Sequence, residues 1–242
     1  QSVLESCGII MYAKDTKKML MVRNYHSRNF IDAQFKMKAA FTGTFSEFPI
    51  QQIVANIATW SDDEVLWVLE WNLKQIYPYI TDEMIRSWKP TMIKLDKQIK
   101  EFYRLVKEEN TRRRKEHIRV ENKSWSFPKG GVKVVGREFE RYVDAARREV
   151  VEEIGYDIPT RLLERCKVFD IPRDHKESFD RFYLFTFDKE LPMKPANWDV
   201  SKAEWMTMEE IGKIDGFKGC TELFEYLKEM DTNENTNENK TN

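Results

Sequence analysis

The spacing of apolar and polar positions changes several times along the chain, and each change marks an element boundary. Gly8 to Tyr12 and Lys18 to Val22 are short apolar runs separated by Lys14, Asp15, Thr16 and Lys17, which predicts a β-hairpin. From Tyr25 to about Lys123 the strand signal disappears. Ile50, Ile53, Val54 and Ile57 lie at helical spacing. Ser61-Asp62-Asp63-Glu64 has the form of a capping box ahead of Val65, Leu66, Val68 and Leu69, and Thr81-Asp82-Glu83 caps another short helix. After Pro90, Met92, Leu95, Ile99, Phe102 and Val106 step by three and four along one long amphipathic helix. A helical block is therefore expected inside a chain that opens with strands.

Beyond Val120, Trp125 and Phe127 lead into the turn signal Pro128-Lys129-Gly130-Gly131, and a polar-rich helix is predicted from about Arg141 to Ile154, stopped by Gly155. Val168 to Ile171 and Phe179 to Phe187 read as strands, the second dense in aromatics. Glu204-Trp205-Met206 begins a third run, and Thr221 to Met230 predicts a last helix. The tail after Asp231 has no apolar residue and is expected to be disordered. Composition adds limits. At 242 residues and 41% hydrophobic, the chain can bury a core. No apolar run has membrane-spanning length and no secretory signal is evident, so the expectation is a soluble cytoplasmic protein without a membrane partner. Cys7, Cys166 and Cys220 are too few for a disulfide framework and are read as reduced. With 40 Lys and Arg against 41 Asp and Glu, any polyanion surface must come from local segregation.

Chemistry concentrates in Arg148-Glu149-Val150-Val151-Glu152-Glu153-Ile154-Gly155. On a helix Glu149, Glu152 and Glu153 fall at i, i+3 and i+4 and are expected to converge on one patch, with Val143, Ala146, Val150 and Ile154 on a separate apolar face. Three like charges in a cleft are costly unless divalent cations compensate, and oxygen-only ligands suit Mg²⁺ or Mn²⁺. A solvated acidic helix face is the alternative. With Gly131 and Glu140 the stretch resembles the Nudix box, G-x5-E-x7-R-E-U-x-E-E-x-G-U. Seven residues separate Glu140 from Arg148 as that pattern requires, whereas eight separate Gly131 from Glu140 in place of five, which predicts a lengthened loop. The resemblance implies an α/β fold, an α/β/α sandwich around a mixed sheet, here interrupted by an all-α insert. It also implies hydrolysis of a nucleoside diphosphate linked to another group. Glu149, Glu152 and Glu153 would then hold Mg²⁺ or Mn²⁺ against the pyrophosphate and activate a water. Arg148 would orient a glutamate, and Lys129 would meet a phosphate. The expected domains are 1–24 with 121–230 for the Nudix fold, 25–120 for the helical insert and 231–242 for the tail.

Trp125-Ser126-Phe127-Pro128-Lys129-Gly130, with Arg148-Glu149-Val150 and Glu153 to Ile158, resembles the mRNA-decapping branch of that family. Diphosphoinositol polyphosphate hydrolases share a related P-K-G. Asp199 to Trp205 is similar to the decapping pattern E-I-x-x-x-x-W, with Asp199 where that branch carries an additional catalytic glutamate; Glu152, Asp199 and Glu204 stay open as the general base. A strand pair followed by inserted helices, including Phe45-Ser46-Glu47-Phe48, resembles the decapping Nudix proteins of poxviruses, asfarviruses and giant viruses. The implied reaction converts m7GpppN-RNA to m7GDP and 5′-monophosphate RNA, with capped mRNA as partner. Independently, Lys97, Lys100, Arg104 and Lys107 lie opposite the apolar stripe and continue into Arg112, Arg113, Arg114 and Lys115, a predicted basic ridge for RNA that Glu101 and Glu108 weaken. Trp60, Trp67, Trp71, Trp88, Tyr25 and Phe30 are candidates for stacking on a cap. His26, His117 and His175 show no metal-ligand spacing. The competing readings are a diphosphoinositol polyphosphate or dinucleoside polyphosphate hydrolase using the same carboxylates, and a non-catalytic RNA-binding protein on the same fold.

Overall fold

In the computed structural model of the protein, the opening hairpin forms as β1 (Val3–Ala13) and β2 (Lys18–Asn24), with Tyr12 opposite Met19. The structure describes residues 3–41, 50–70, 89–122, 124–173, 178–197, 199–214 and 219–238. By packing the chain divides into two units, residues 1–25 with 125–242 and residues 26–124.

The described elements of the second unit are α1 (Arg28–Phe41), α2 (Ile50–Val54), a 3-10 turn (Ile57–Thr59), α3 (Asp62–Glu70) and α4 (Lys89–Glu116). Phe102 and Val106 of α4 bury against Phe30, Ile53, Trp60, Val65 and Val68, as their spacing predicts. The box at Ser61 closes in both directions: the Ser61 N–H donates to Glu64 Oε2 at 2.7 Å and the Glu64 N–H donates to Ser61 Oγ at 3.2 Å. Glu64 also accepts from the Ser27 N–H and, at 2.8 Å, from Ser27 Oγ, so one buried carboxylate joins the starts of α1 and α3. The segment with Phe45 to Phe48, the helix expected at Thr81, Trp71 and Trp88, and the side chains of Met92, Leu95 and Ile99 lie outside the described residues.

In the first unit β3 (Trp125–Ser126), β4 (Lys129–Gly130), β7 (Lys167–Pro172), β8 (Ser178–Phe187) and β9 (Val200–Thr207) join the hairpin in one sheet. Its path is β3-β2-β1-β8-β7, with β4 pairing β1 and β9 pairing β2. The β1–β8 pair is parallel and the rest are antiparallel, so the sheet is mixed. A separate hairpin pairs β5 (Val134–Val135) with β6 (Glu138–Phe139). The remaining helices are α5 (Tyr142–Ile154), α6 (Thr160–Leu163), α7 (Met208–Gly212) and α8 (Thr221–Glu238). Strand alternation builds the layers. Cys7, Ile9, Met11, Leu20 and Val22 cluster with Val143, Ala146, Val150 and Ile154 of α5. Ile10, Tyr12, Met19 and Met21 cluster with Leu223 and Leu227 of α8. The result is the α/β/α arrangement, with α5 and α8 on opposite faces.

The tail departs from expectation, since α8 runs to Glu238 where the polar composition predicts disorder after Asp231. Tyr12 Oη donates to both Asp231 oxygens at 2.9 Å, and Thr232 Oγ1 donates to the Lys228 carbonyl at 2.8 Å. Polar side chains there satisfy themselves on β1 and on the helix, so lack of apolar residues does not end it. The three cysteines are unpaired, and burial pushes the Cys7 thiol up to about 11 and Cys220 up to about 12, which leaves them inert at neutral pH.

Candidate active site

Two glycines let β1, β4 and α5 approach closely enough to make a site. A Cβ on Gly8 would lie 2.2 Å from the Pro128 carbonyl oxygen, and one on Gly130 would lie 2.1 Å from the Glu149 carboxyl. Gly131 has nothing within 4 Å, so the glycine that the geometry requires is Gly130. The lengthened loop before α5 is the β5–β6 hairpin, which turns at Gly136 with φ 70° and ends at Glu140. The Glu140 N–H donates to the Lys133 carbonyl at 2.9 Å, so Glu140 keeps its place despite the extra residues. α5 ends where predicted, with Gly155 in the left-handed region at φ 70°.

Arg148 sits between these parts. Its guanidinium donates to Glu140 Oε1 at 3.0 Å and Oε2 at 2.9 Å, to the Gly131 carbonyl at 2.8 Å and to Glu149. Its Nη1 lies 3.4 Å from Glu152. Ion pairing with Arg148 holds the Glu140 carboxyl below the usual range.

The three helix glutamates differ in their surroundings: one Arg148 nitrogen contacts both Glu149 and Glu152, while Glu153 lies on the sheet side. Successive helical residues are about 100° apart, so Glu152 and Glu153 diverge to either side of Glu149. Glu153 faces inward and its Oε2 accepts the Lys129 N–H at 3.1 Å. Burial, then the charges of Glu149 and Asp199, push its carboxyl up to about 8 against the pull of the Lys129 amide. Glu152 is exposed, 3.1 Å from Lys133 Nζ. Among the described residues no three His, Cys, Asp or Glu side chains are already gathered closely enough to hold one ion.

Asp199 lies before β9, and its carbonyl accepts the Tyr25 N–H at 2.7 Å. Burial raises its carboxyl, and its charge is felt at Glu153. Glu204 is exposed and 3.7 Å from Lys202. Lys129 donates from Nζ to Asp180 at 2.7 Å. Asp180 also accepts from Ser6 Oγ at 2.6 Å and Arg173 Nε at 2.8 Å. Burial alone would raise the Asp180 carboxyl, but Arg173 and Lys129 hold it below its ordinary value. Ser6, Arg173 and Asp180 were not legible as site residues; the available signal was a lone aspartate opening an apolar strand.

In the helical unit the predicted ridge is reduced. Arg104 pairs with Glu101 and Glu108, and Arg112 pairs with Glu109 at 2.8 Å and Glu116 at 2.9 Å. Arg113 is not a surface residue. Its side chain is 3% exposed and donates to Glu109 at 2.8 Å, Asp62 at 2.9 Å and the Ile57 carbonyl at 2.9 Å, because helical spacing places it on the face of Phe102, Val106 and Glu109. Lys100, Lys107, Arg114 and Lys115 are exposed, and the Lys97 side chain lies outside the described residues. Phe30 and Trp60 are fully buried, with ring centroids 5.0 Å apart, and so are core and not cap-stacking faces; Tyr25 is half exposed.

The family model of the NUDIX domain matches residues 105–225, half of the chain. The chain belongs to the Nudix family. No curated protein matches it. Similar solved structures include two of a bifunctional NMN adenylyltransferase/ADP ribose pyrophosphatase from Francisella tularensis, one complexed with AMP and Mn ion. Each is 25% identical over 44% of this chain, with a TM-score of 0.32. The chain covers 34% and 33% of those two proteins, about a third of their length.

Nudix hydrolases use divalent cations such as Mg²⁺ or Mn²⁺, and the donor chemistry of this Nudix site fits one. Its candidate ligands are carboxylate oxygens, as hard cations prefer, and Glu153 is a half-buried acid whose charged form is opposed by the like charges of Glu149 and Asp199. Glu149 and Glu153 form the inner pair, and Glu152 stands at the rim, where Lys133 and Arg148 partner it.

Proposed function

We propose that this Nudix pyrophosphohydrolase is an mRNA-decapping enzyme that cleaves the cap pyrophosphate of m7GpppN-RNA to m7GDP and 5′-monophosphate RNA. The observation that carries the reading is the helical unit of residues 26–124, which interrupts the Nudix unit and presents exposed Lys100, Lys107, Arg114 and Lys115 on or beside one long helix. A hydrolase of mononucleotides needs no such surface, whereas a polynucleotide gains affinity from each phosphate it neutralises.

Glu149, Glu152 and Glu153 are the residues that would hold Mg²⁺ or Mn²⁺. When bound, such an ion supplies charge neutralisation on the phosphate oxygens and acidifies a water. The chain's own groups supply the rest. Arg148 fixes Glu149 and Glu140, the Lys129 N–H fixes Glu153, and Gly130 leaves the space that the Glu149 carboxyl fills. Asp199, coupled to Glu153, is better situated to take the water proton than Glu204, which pairs with Lys202. Lys129 gives its amide to Glu153 and its ammonium group to Asp180, and its part-exposed side chain stays a candidate to meet a phosphate.

Self-neutralisation of Arg104 and Arg112 favours the rival, a hydrolase of small phosphoanhydrides such as diphosphoinositol or dinucleoside polyphosphates. One experiment separates them: cap-labelled RNA, free cap dinucleotide, an inositol pyrophosphate and ADP-ribose are incubated side by side with the protein and Mn²⁺. Release of m7GDP from long RNA, faster than turnover of the small substrates, is the expected result. Turnover of small substrates alone overturns the decapping assignment.

A further inference from the structure

Ion pairing removes Arg104, Arg112 and Arg113 from the positive surface of α4, and Arg114, with His117 and Arg119 just past the helix, lines a pocket at its C-terminal end. The chain reverses there. His117 takes the left-handed conformation at φ 55°, and the Ile118 N–H donates to the Arg113 carbonyl at 2.9 Å. Two residues on, the Val120 carbonyl accepts the Asp62 N–H at 2.9 Å. Arg119 is thereby held between two anchored residues and folded back beside Asn110 and Arg114.

The cavity has a volume of about 280 Å³, and Arg113, Arg114, His117 and Arg119 are among its walls. Leu66 and Ile118 give it an apolar side. Asp62 is the acid in the wall, and its charge is committed to Arg113 at 2.9 Å. Arg114, His117 and Arg119 are exposed, and their side chains carry no hydrogen bond or ion pair among the described residues. The C-terminus of α4 opposes an anion with roughly half a unit charge, against two uncommitted guanidinium groups. The balance favours a phosphate. Guanidinium groups recognise it by paired N–H donors, and the Asn110 amide adds a neutral donor in the same wall.

We propose that this pocket is a phosphate-binding site of the helical unit that seats a phosphodiester group of the RNA body, with Arg114 and Arg119 as its principal ligands. The assignment rests on the decapping reading and extends it from a diffuse basic surface to one site.

The test uses the full chain and a single-stranded RNA of about 20 nucleotides, followed by fluorescence anisotropy from about 50 to 200 mM salt. Arg114→Gln/Arg119→Gln is expected to weaken binding roughly tenfold and to make the slope of log affinity against log salt shallower by about 0.7 to 1.4. Arg114→Lys/Arg119→Lys keeps most of the slope, because it keeps the charge. Circular dichroism confirms that each variant is folded. Unchanged affinity and slope in the Gln variant, with wild type binding RNA, overturn the pocket alone. Wild type that does not bind RNA overturns the decapping reading and this assignment together. A parallel arm measures inositol hexakisphosphate: loss of that binding in the Gln variant, with RNA binding intact, identifies a small-polyphosphate pocket and overturns the RNA assignment.

Discussion

Glu153→Gln is expected to make the protein more stable and inactive at once. The carboxyl of Glu153 is half-buried beside Glu149 and Asp199 and stands at about 8 against an ordinary 4.5. A pKa raised in the fold means that its stability is fully present below the unfolded value and is lost as pH rises through the folded one. The window is therefore about pH 4.5 to 8. Each pKa unit corresponds to about 1.4 kcal/mol, so above pH 8 the charged form costs the fold up to about 5 kcal/mol. Partial solvent contact screens part of this, and at about 2–4 °C per kcal/mol for a chain of this size a shift of at least about 5 °C is expected. Glutamine keeps the shape and still accepts the Lys129 N–H, but carries no charge. Thermal unfolding with EDTA at pH 5 and pH 8.5 is the assay. The variant melts with wild type at pH 5 and at least about 5 °C higher at pH 8.5. Mn²⁺ then raises the wild-type midpoint at pH 8.5 by more than that of the variant, which keeps Glu149 and Glu152 but has lost one of the three carboxylates. A wild-type–variant difference that is the same at both pH values refutes the burial argument.

Three further outcomes follow from the same contacts. Gly130→Ala places a methyl group on the Glu149 carboxyl, the far end of a flexible side chain; hydrolysis falls by about 100-fold or more while stability drops by only about 1–2 kcal/mol, read from kcat and denaturant midpoints side by side. Arg113→Ala leaves Glu109 with Arg112 alone and takes a donor from Asp62 and from the Ile57 carbonyl, destabilising the helical unit by about 1–3 kcal/mol, whereas Arg114→Ala changes stability by less than about 0.5 kcal/mol, measured by urea unfolding. Glu64→Ala removes the acceptor for Ser27 and Ser61 and costs about 2–4 kcal/mol, seen as early loss of helical signal on heating.

Periodicity made much of the architecture legible. The alternation of Ile9, Ile10, Met11 and Tyr12 is a strand buried on both faces, and the step from Phe102 to Val106 sets the inward side of α4. The same rule carried one step further, to Glu109 and Arg113, would have placed that arginine inside; reading it by charge put it in the ridge. Helical spacing also brought the three glutamates to one side of α5 but could not say how the sheet divides them, because that depends on where β4 passes. The Lys129–Asp180 pair joins residues from distant strands, and the parallel β1–β8 register that brings Ser6 opposite Asp180 has no local signature. Three extra residues before Glu140 were visible as length, but only the structure shows them as a hairpin and shows Gly130 as the glycine against Glu149.

Glu149 and Glu153 are expected to act as a pair of carboxylates that grip a divalent ion. Titration of Mn²⁺ into the protein at pH 8, with free Mn²⁺ followed by electron paramagnetic resonance, tests this directly. Wild type is predicted to take up Mn²⁺ saturably, and Glu149→Gln/Glu153→Gln to leave it free in solution. Equal uptake by the two proteins would contradict the account.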